Sequence, residues 1–295
     1  MAKSSSAFFE IVAPSQWTVP IVFNSPHSGS LLPEFFLAQS KLSKEEIRSS
    51  EDSHVDDLFS GCVAEGAPLI RALISRSFLD LNREPYEFDC RMFEEPLPSY
   101  MNTTSSRVAC GLGTIPRIVG EGLNIYGGPI TLLDAMNRVE TVYRPYHRTL
   151  AALLDEAYRA TGIILLVDCH SMPSTSVSKY TSRGKVDIVL GDRFGNSCDK
   201  FIVDVAESFL TAAGLTVARN KPYAGGFITE THGLPRHGRH ALQIEINRAL
   251  YMNETTRVAG PEYLQLKKIL DGLAAAFATP LKQLEHEAIA TLAAE

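Results

Sequence analysis

Short apolar runs rich in β-branched residues recur along the chain between longer segments of helical periodicity. Thr18 to Phe23, Pro68 to Ile74, Ser77 to Leu81, Ile163 to Val167, Val186 to Leu190 and Ala241 to Ile246 predict strands. Several are apolar at every position, as expected of central strands covered on both faces by helices. Between them, Ser43-Lys44-Glu45-Glu46 reads as a capping box opening a helix to about Ser60. Leu132, Leu133, Met136, Val139, Val142, Tyr143 and Tyr146, then Leu150, Leu153 and Leu154, repeat at helical spacing. Pro145 falls inside that repeat, where its missing N–H predicts a kink. Phe201, Ile202, Val205, Phe209 and Leu210 mark a further helix ended by Gly214, and a last one lies near 260–278, with an extension after Pro280. Strands alternating with helices predict an α/β fold on a mixed, largely parallel sheet flanked by helices. No repeat or linker divides the chain, so one domain over 1–295 is expected. Glu84 to Gly128, rich in Pro and Gly and poor in periodicity, reads as a loop insertion over the sheet, the kind of segment that serves as a lid or binding loop.

Composition narrows the function. Lys+Arg 28 against Asp+Glu 34 gives a net charge of -6, which argues against a protein that binds nucleic-acid phosphates. Cys62, Cys90, Cys110, Cys169 and Cys198 are scattered and never form C-x-x-C, so neither a disulfide framework nor a cysteine-based zinc site is expected. The first residues lack the apolar core of a signal peptide, and the apolar stretch Gly162 to Val167 is too short to span a bilayer. A soluble cytoplasmic protein with no membrane partner is the expectation. There is no G-x-S-x-G elbow, and Gly111-Leu112-Gly113 meets Pro116 where a dinucleotide fingerprint needs glycine.

The polar residues with chemistry sit at the predicted strand ends: His27 after VPIVFNSP, Asn82-Arg83 after SFLDL, and Asp168-Cys169-His170-Ser171 after GIILLV. Ligands of open α/β sheets collect outside the carboxyl ends of strands, so these residues are expected to converge. In ALQIEIN, alternation puts Leu242, Ile244 and Ile246 on one face and Gln243, Glu245 and Asn247 on the other. A carboxylate in such a strand is costly unless paired or functional. Two histidines, one carboxylate and an open position describe a catalytic zinc site, with Glu245 suited to take a proton from water. Asp52 is the preferred third ligand. On the predicted helix it shares a face with Asp56 at i,i+4, where like charges repel unless a cation is near. The plainer alternatives are a solvated helix face for the aspartates, an ion-paired cap for Asn82-Arg83 and an arginine partner for Glu245. His54 is a candidate for the shell around the ligands.

The sequence resembles the N-formylglutamate amidohydrolase family. The resemblance rests on seven segments in order: Asn24-Ser25-Pro26-His27-Ser28-Gly29, Glu51-Asp52-Ser53-His54, Asp80-Leu81-Asn82-Arg83, Tyr143-Arg144-Pro145-Tyr146-His147, Asp168-Cys169-His170-Ser171, Gly225-Gly226-Phe227-Ile228-Thr229 and Gln243-Ile244-Glu245. It implies a zinc-carboxypeptidase-like (phosphorylase/hydrolase-like) fold and a metal-dependent amidohydrolase cleaving an N-acyl amino acid, N-formyl-L-glutamate first among them. It also implies that His27 and His170 bind one divalent metal ion, zinc by preference, that Asn82-Arg83 grips a substrate carboxylate, and that Glu245 is the general base. The related superfamily carries a ligand carboxylate three residues after the first histidine, where this chain has Ser30. The third ligand therefore comes from elsewhere: Asp52 first, then Glu51, then Glu34.

A substrate with two carboxylates asks for a second cation, for which Arg144 at the Pro145 kink and the run Arg236-His237-Gly238-Arg239-His240 are candidates. Gly225-Gly226 supplies backbone for a loop that closes over the site, or for a tight turn. Two other readings stay open: a deacylase or carboxypeptidase-like enzyme for another acyl group or a peptide, and a carboxylate-binding protein without turnover.

Overall fold

The computed structural model describes residues 6–120, 122–177 and 186–292, with side chains as far as residue 284. Seven strands form one sheet: β1 (Phe9–Val12), β2 (Ile21–Ser25), β3 (Leu69–Ala72), β6 (Ile164–Met172), β7 (Ile188–Gly191), β8 (Val217–Arg219) and β9 (Arg239–Asn247). The short β4 (Ile118–Val119) and β5 (Leu123–Asn124) pair separately as a hairpin. The sheet order is β1-β3-β2-β6-β9-β7-β8. The central run β3-β2-β6-β9 is parallel, β7 pairs antiparallel with β9 and parallel with β8, and β1 is an antiparallel edge. The sheet is mixed and largely parallel, with helices on its faces, as the alternation of patterns predicts.

Strand periodicity divides the core in two. On one face Val22, Ile164, Leu166 and Ala241 pack against Val142, Tyr146, Leu150 and Leu154 of the long helix Arg144–Thr161 and its approach. On the other, Ile21, Phe23, Leu165, Val167, Leu242 and Ile244 meet the helices Lys200–Ala212, Tyr263–Asp271 and Leu273–Leu292. β6 and β9 are each nine residues long and outrun the helix that covers the first face. Beyond it, the same alternation presents Asp168 and His170, then Gln243 and Glu245, in register with one another. There His170, Gln243 and Glu245 line the floor of the site.

Four sequence expectations change. Ser77 to Leu81 is no strand: Phe78 N–H donates to the Ser75 carbonyl and Asp80 N–H to the Thr114 carbonyl, so the segment turns. Its apolar side chains are buried in the core, which satisfies the hydrophobic pattern without a ladder. The helix from Ser43 is short. The capping box forms, but helix Lys44–Ile47 tightens into a 3-10 turn over Arg48–Ser50 and then breaks. Asp52 N–H donates instead to the His27 carbonyl, and His54 takes φ 68 before helix Val55–Leu58 begins. Asp52 and Asp56 therefore share no helix face, and Asp56 pairs with Arg71. Around Pro145 the helix Leu132–Arg138 widens into a π turn over Val139–Tyr143 and resumes at Arg144, the adjustment a proline at the head of a resumed helix requires. Finally, helix continues through Pro280, after a break at Gly272.

Candidate active site

A cleft of about 510 Å³ opens at the carboxyl ends of the parallel strands. His27 comes from the turn after β2, Asp52 from the break after Ser50, and His170 from within β6. His170 thus lies inside its strand, not after it. One ligand atom from each of these three residues lies within 4.8 Å of the others. His170 Nδ1 is 3.2 Å and His27 Nδ1 3.5 Å from the same oxygen, Asp52 Oδ2. Asp52 is placed by its backbone bond to His27 and by Arg248, whose Nη2 donates to Oδ1 at 2.9 Å, while the Ser171 hydroxyl donates to the same oxygen.

The far nitrogens of both rings meet second carboxylates. His27 Nε2 lies 2.7 Å from Asp80 Oδ1 and His170 Nε2 3.0 Å from Asp168 Oδ2. With a proton on each Nε2, both Nδ1 lone pairs face Asp52, the arrangement that orients imidazoles toward a cation. His27 Nδ1 is buried and has no hydrogen-bond partner. A buried acceptor without a donor, beside a second imidazole and a carboxylate, fits a divalent metal ion, and this donor set suits zinc among others. Burial pushes the Asp52 carboxyl up, but His170, His27, Arg248 and Arg76 outweigh it and hold the group well below the usual range. Asp80 is likewise held low against burial by Arg76, Arg83 and His27.

Glu245 stands beside this cluster on β9, opposite His170 across the ladder. Gln243, two residues back on the same face, donates from Nε2 to Glu245 Oε1 at 2.9 Å and accepts Gly226 N–H on its own oxygen. Burial pushes the Glu245 carboxyl up to about 7; His170, Arg76 and Arg248 oppose the rise and Asp52 adds to it. Such a group exchanges protons near neutral pH.

Asn82 links the parts, with Nδ2 at 3.1 Å from His170 Nε2 and 3.3 Å from Asp168 Oδ2, while its Oδ1 accepts Ile228 N–H. A Cβ on Gly226 would stand 2.5 Å from the Asn82 amide, so this glycine serves close approach in a packed turn. Arg83 enters the cleft wall, with Nε donating to the Leu112 carbonyl and Nη1 to its own neighbour's carbonyl at Asn82. Its Nη2 is 3.8 Å from Asp80. The turn is held from the helical side, where Tyr143 Oη donates to the Arg83 carbonyl and His147 Nε2 meets that of Leu81. The insertion contributes Arg107, Leu112, Pro116, Ile118 and Gly120 to the cleft wall beside Arg83.

Several candidates stand elsewhere. Arg144 is exposed at the head of its helix, where Nε donates to Glu140 and the guanidinium contacts Tyr86, and it is not on the cleft wall. The run from Arg236 to His240 lies at the opposite, amino end of β9, with Arg239 bonded to Asp155 and stacked over Tyr158. His54 bonds the Arg257 carbonyl. Glu51 is held by Arg48 and Ser53, and Glu34 is exposed on helix Glu34–Gln39. Conversely, the partner roles of Asp80, Asp168 and Gln243 go unassigned by sequence reasoning, although strand parity gives the signal for two: Asp168 precedes His170, and Gln243 precedes Glu245, by two residues. Arg248 carries no such signal, because long-range pairing with Asp52 defines it, whereas Arg76 pairs with Asp80 only four residues on, where the chain turns.

Comparison with known proteins gives the family. The family model described as N-formylglutamate amidohydrolase matches residues 19–252. The chain is 30% identical over 270 residues to the N-formylglutamate deformylase of Pseudomonas putida, covering 88% of this chain and 94% of that one. To its counterpart in Pseudomonas aeruginosa it is 29% identical over 250 residues, covering 83% and 86%. The crystal structure of N-formylglutamate amidohydrolase from Ralstonia eutropha superposes with a TM-score of 0.89 at 33% identity, covering 94% of this chain and 99% of that one. A gene product of Agrobacterium tumefaciens, 20% identical with a TM-score of 0.61 over 97% and 96% of the two chains, shares the fold. With a family match across the region that holds His27, Asp52, Asn82, His170 and Glu245, this chain belongs to the N-formylglutamate amidohydrolase family, whose members are hydrolases of amide bonds.

Proposed function

We propose that this protein hydrolyses N-formyl-L-glutamate to formate and L-glutamate, with a divalent metal ion, zinc by preference, held by His27, Asp52 and His170. The observation that carries the reading is the paired orientation of the two imidazoles toward Asp52, with a raised carboxyl, Glu245, beside them. When bound, such an ion supplies Lewis acidity that acidifies water and polarises the formyl carbonyl.

The chain's own residues supply the rest. Glu245, steadied by the Gln243 amide, takes a proton from the water that attacks the formyl carbon. The same carboxyl then returns the proton to the amide nitrogen as the C–N bond breaks, so formate and the amino acid leave with the proton count balanced. Arg83, whose guanidinium meets its nearest carboxylate only at 3.8 Å, takes a substrate carboxylate, and Asn82 beside it fixes the position of that turn. Residues from 27 to 245 act together, so the whole chain works as one catalytic unit.

Metal content and formate release, measured on wild type, His170→Ala and Glu245→Gln, test this. His170→Ala is expected to lose both. Glu245→Gln is expected to keep its metal and lose turnover by about 100-fold or more. Near-wild-type turnover in Glu245→Gln with metal retained rules out the base assignment.

A further inference from the structure

Four arginines reach the cleft wall: Arg76, Arg83, Arg107 and Arg248. Two are paired with a carboxylate at hydrogen-bond distance. Arg76 Nη2 bonds Asp80 at 2.7 Å, and Arg248 bonds Asp52 and the Ser171 hydroxyl while reaching the carbonyls of Ser49 and Ser50. The other two are not. Arg83 meets Asp80 only at 3.8 Å, and the carboxylate within 4 Å of Arg107 among the described residues is Glu87, at 3.9 Å. Each of these distances is too long for a hydrogen-bonded pair.

Arg107 is nonetheless firmly placed. Buried Glu87 accepts the Ser105 hydroxyl proton at 2.5 Å, and Ser105 Oγ accepts Val108 N–H at 3.0 Å, fixing the turn that carries Arg107. The Arg107 carbonyl accepts Leu112 N–H at 2.8 Å, and the Leu112 carbonyl in turn accepts Arg83 Nε at 2.8 Å. Two like-charged guanidiniums are therefore mounted on one connected frame, both on the cleft wall. Each guanidinium has a carboxylate at ion-pair distance but none at hydrogen-bond distance, so a dianionic ligand can offer both a closer partner.

We infer that Arg107, on the insertion, is the specificity-determining residue for the side-chain carboxylate of the substrate, paired with Arg83 as the grip on the other carboxylate. This rests on the proposed function, and it deepens that reading by assigning the residue that selects the anionic side chain of the substrate. Discrimination against an uncharged side chain then comes from Arg107, which a neutral amide leaves in a cleft with a second cation nearby and no anion added.

The test compares kcat/KM for N-formyl-L-glutamate with that for its neutral isostere N-formyl-L-glutamine, in wild type, Arg107→Met and Arg107→Lys. Wild type is expected to prefer the glutamate compound. Arg107→Met should lower kcat/KM for that compound about 10- to 100-fold further than for the glutamine compound, chiefly through KM, so that the preference collapses. Arg107→Lys should restore part of it, because a point charge lacks the bidentate fork. Loss of both activities in equal proportion, or a preference that survives in Arg107→Met, overturns the assignment of Arg107 while leaving the proposed function intact. A wild-type enzyme inactive on both compounds overturns the proposed function itself.

Discussion

The Nδ1 atoms of His27 and His170 face one carboxylate, Asp52, while their Nε2 atoms each meet another, Asp80 and Asp168. At the residue scale a proton on each Nε2, held by its outer carboxylate, leaves both Nδ1 atoms for a cation, and a change in the outer carboxylate should be felt at the inner nitrogen. Asp168 shows why. It faces Asn24 Nδ2 at 2.6 Å, Asn82 Nδ2 at 3.3 Å and His170 Nε2 at 3.0 Å, three donors that an ionised carboxylate can satisfy and an amide cannot. Asp168→Asn is therefore expected to weaken metal binding about 10- to 100-fold without removing a ligand, as read by competition with a chromogenic chelator. An affinity equal to wild type would show that Asp168 does not orient the ring. Much of this was legible in the sequence, since His27, Asp52, His170 and Glu245 stand in recognisable segments. The outer partners were harder to assign, because a carboxylate's role depends on which ring it meets across the sheet.

At the scale of elements, the turns after the strands position the site more tightly than the strands alone. The turn carrying His27 passes so close to the end of β3 that a Cβ on Gly29 would stand 2.2 Å from the Ile74 carbonyl oxygen and 2.5 Å from the Leu73 carbonyl carbon. Backbone cannot yield as a flexible side chain can. Gly29→Ala is expected to destabilise the fold by about 1–3 kcal/mol, whereas Gly128→Ala, which meets nothing within 4 Å, should be close to neutral. Urea denaturation of the two variants separates these outcomes, and equal midpoints would contradict the close-approach argument. The break after Ser50 belongs to the same scale. Its sequence reads as helix, yet the bond from Asp52 N–H to the His27 carbonyl and the pull of Arg248 on the side chain end the helix early. Local propensity yields there to a contact 25 residues away in the chain, which no periodicity could anticipate.

Across the whole molecule, three histidines outside the metal cluster are kept neutral by burial. His147, His232 and His240 are each pushed down to about 4, desolvation being the main cause in every case. His240 Nδ1 also accepts Asp199 N–H, a bond the imidazolium cannot make. The unfolded chain binds protons at these sites near pH 6.5, the folded chain only near 4, so the unfolded state holds more protons between the two. Stability from this source is complete above about pH 6.5 and falls as the pH drops toward 4, by on the order of 3 kcal/mol for each histidine. Denaturation midpoints measured from pH 7 to 4.5 should decline, and the slope should be shallower in His240→Asn. An unchanged slope in that variant would remove His240 from the account.

The sequence by itself determined the class of the fold, the place of the inner strands, though not their full length, and the identity of the metal-site and base candidates. Strand alternation and apolar runs are local properties, and β9 shows them plainly, with Gln243, Glu245 and Asn247 on one face as the pattern demands. Only the tertiary structure decided which charges meet. Ser77 to Leu81 is buried without being a strand, because burial in the core sets the same hydrophobic pattern whether the backbone is extended or turned. Arg144 and the basic run to His240 read as substrate cations but lie at a helix head and at the far end of β9, while Arg107, inconspicuous in an aperiodic insertion, reaches the cleft. Charge pairing carries no periodicity in sequence. It depends on distance in space, and that is set by where the turns bring the chain back over the sheet.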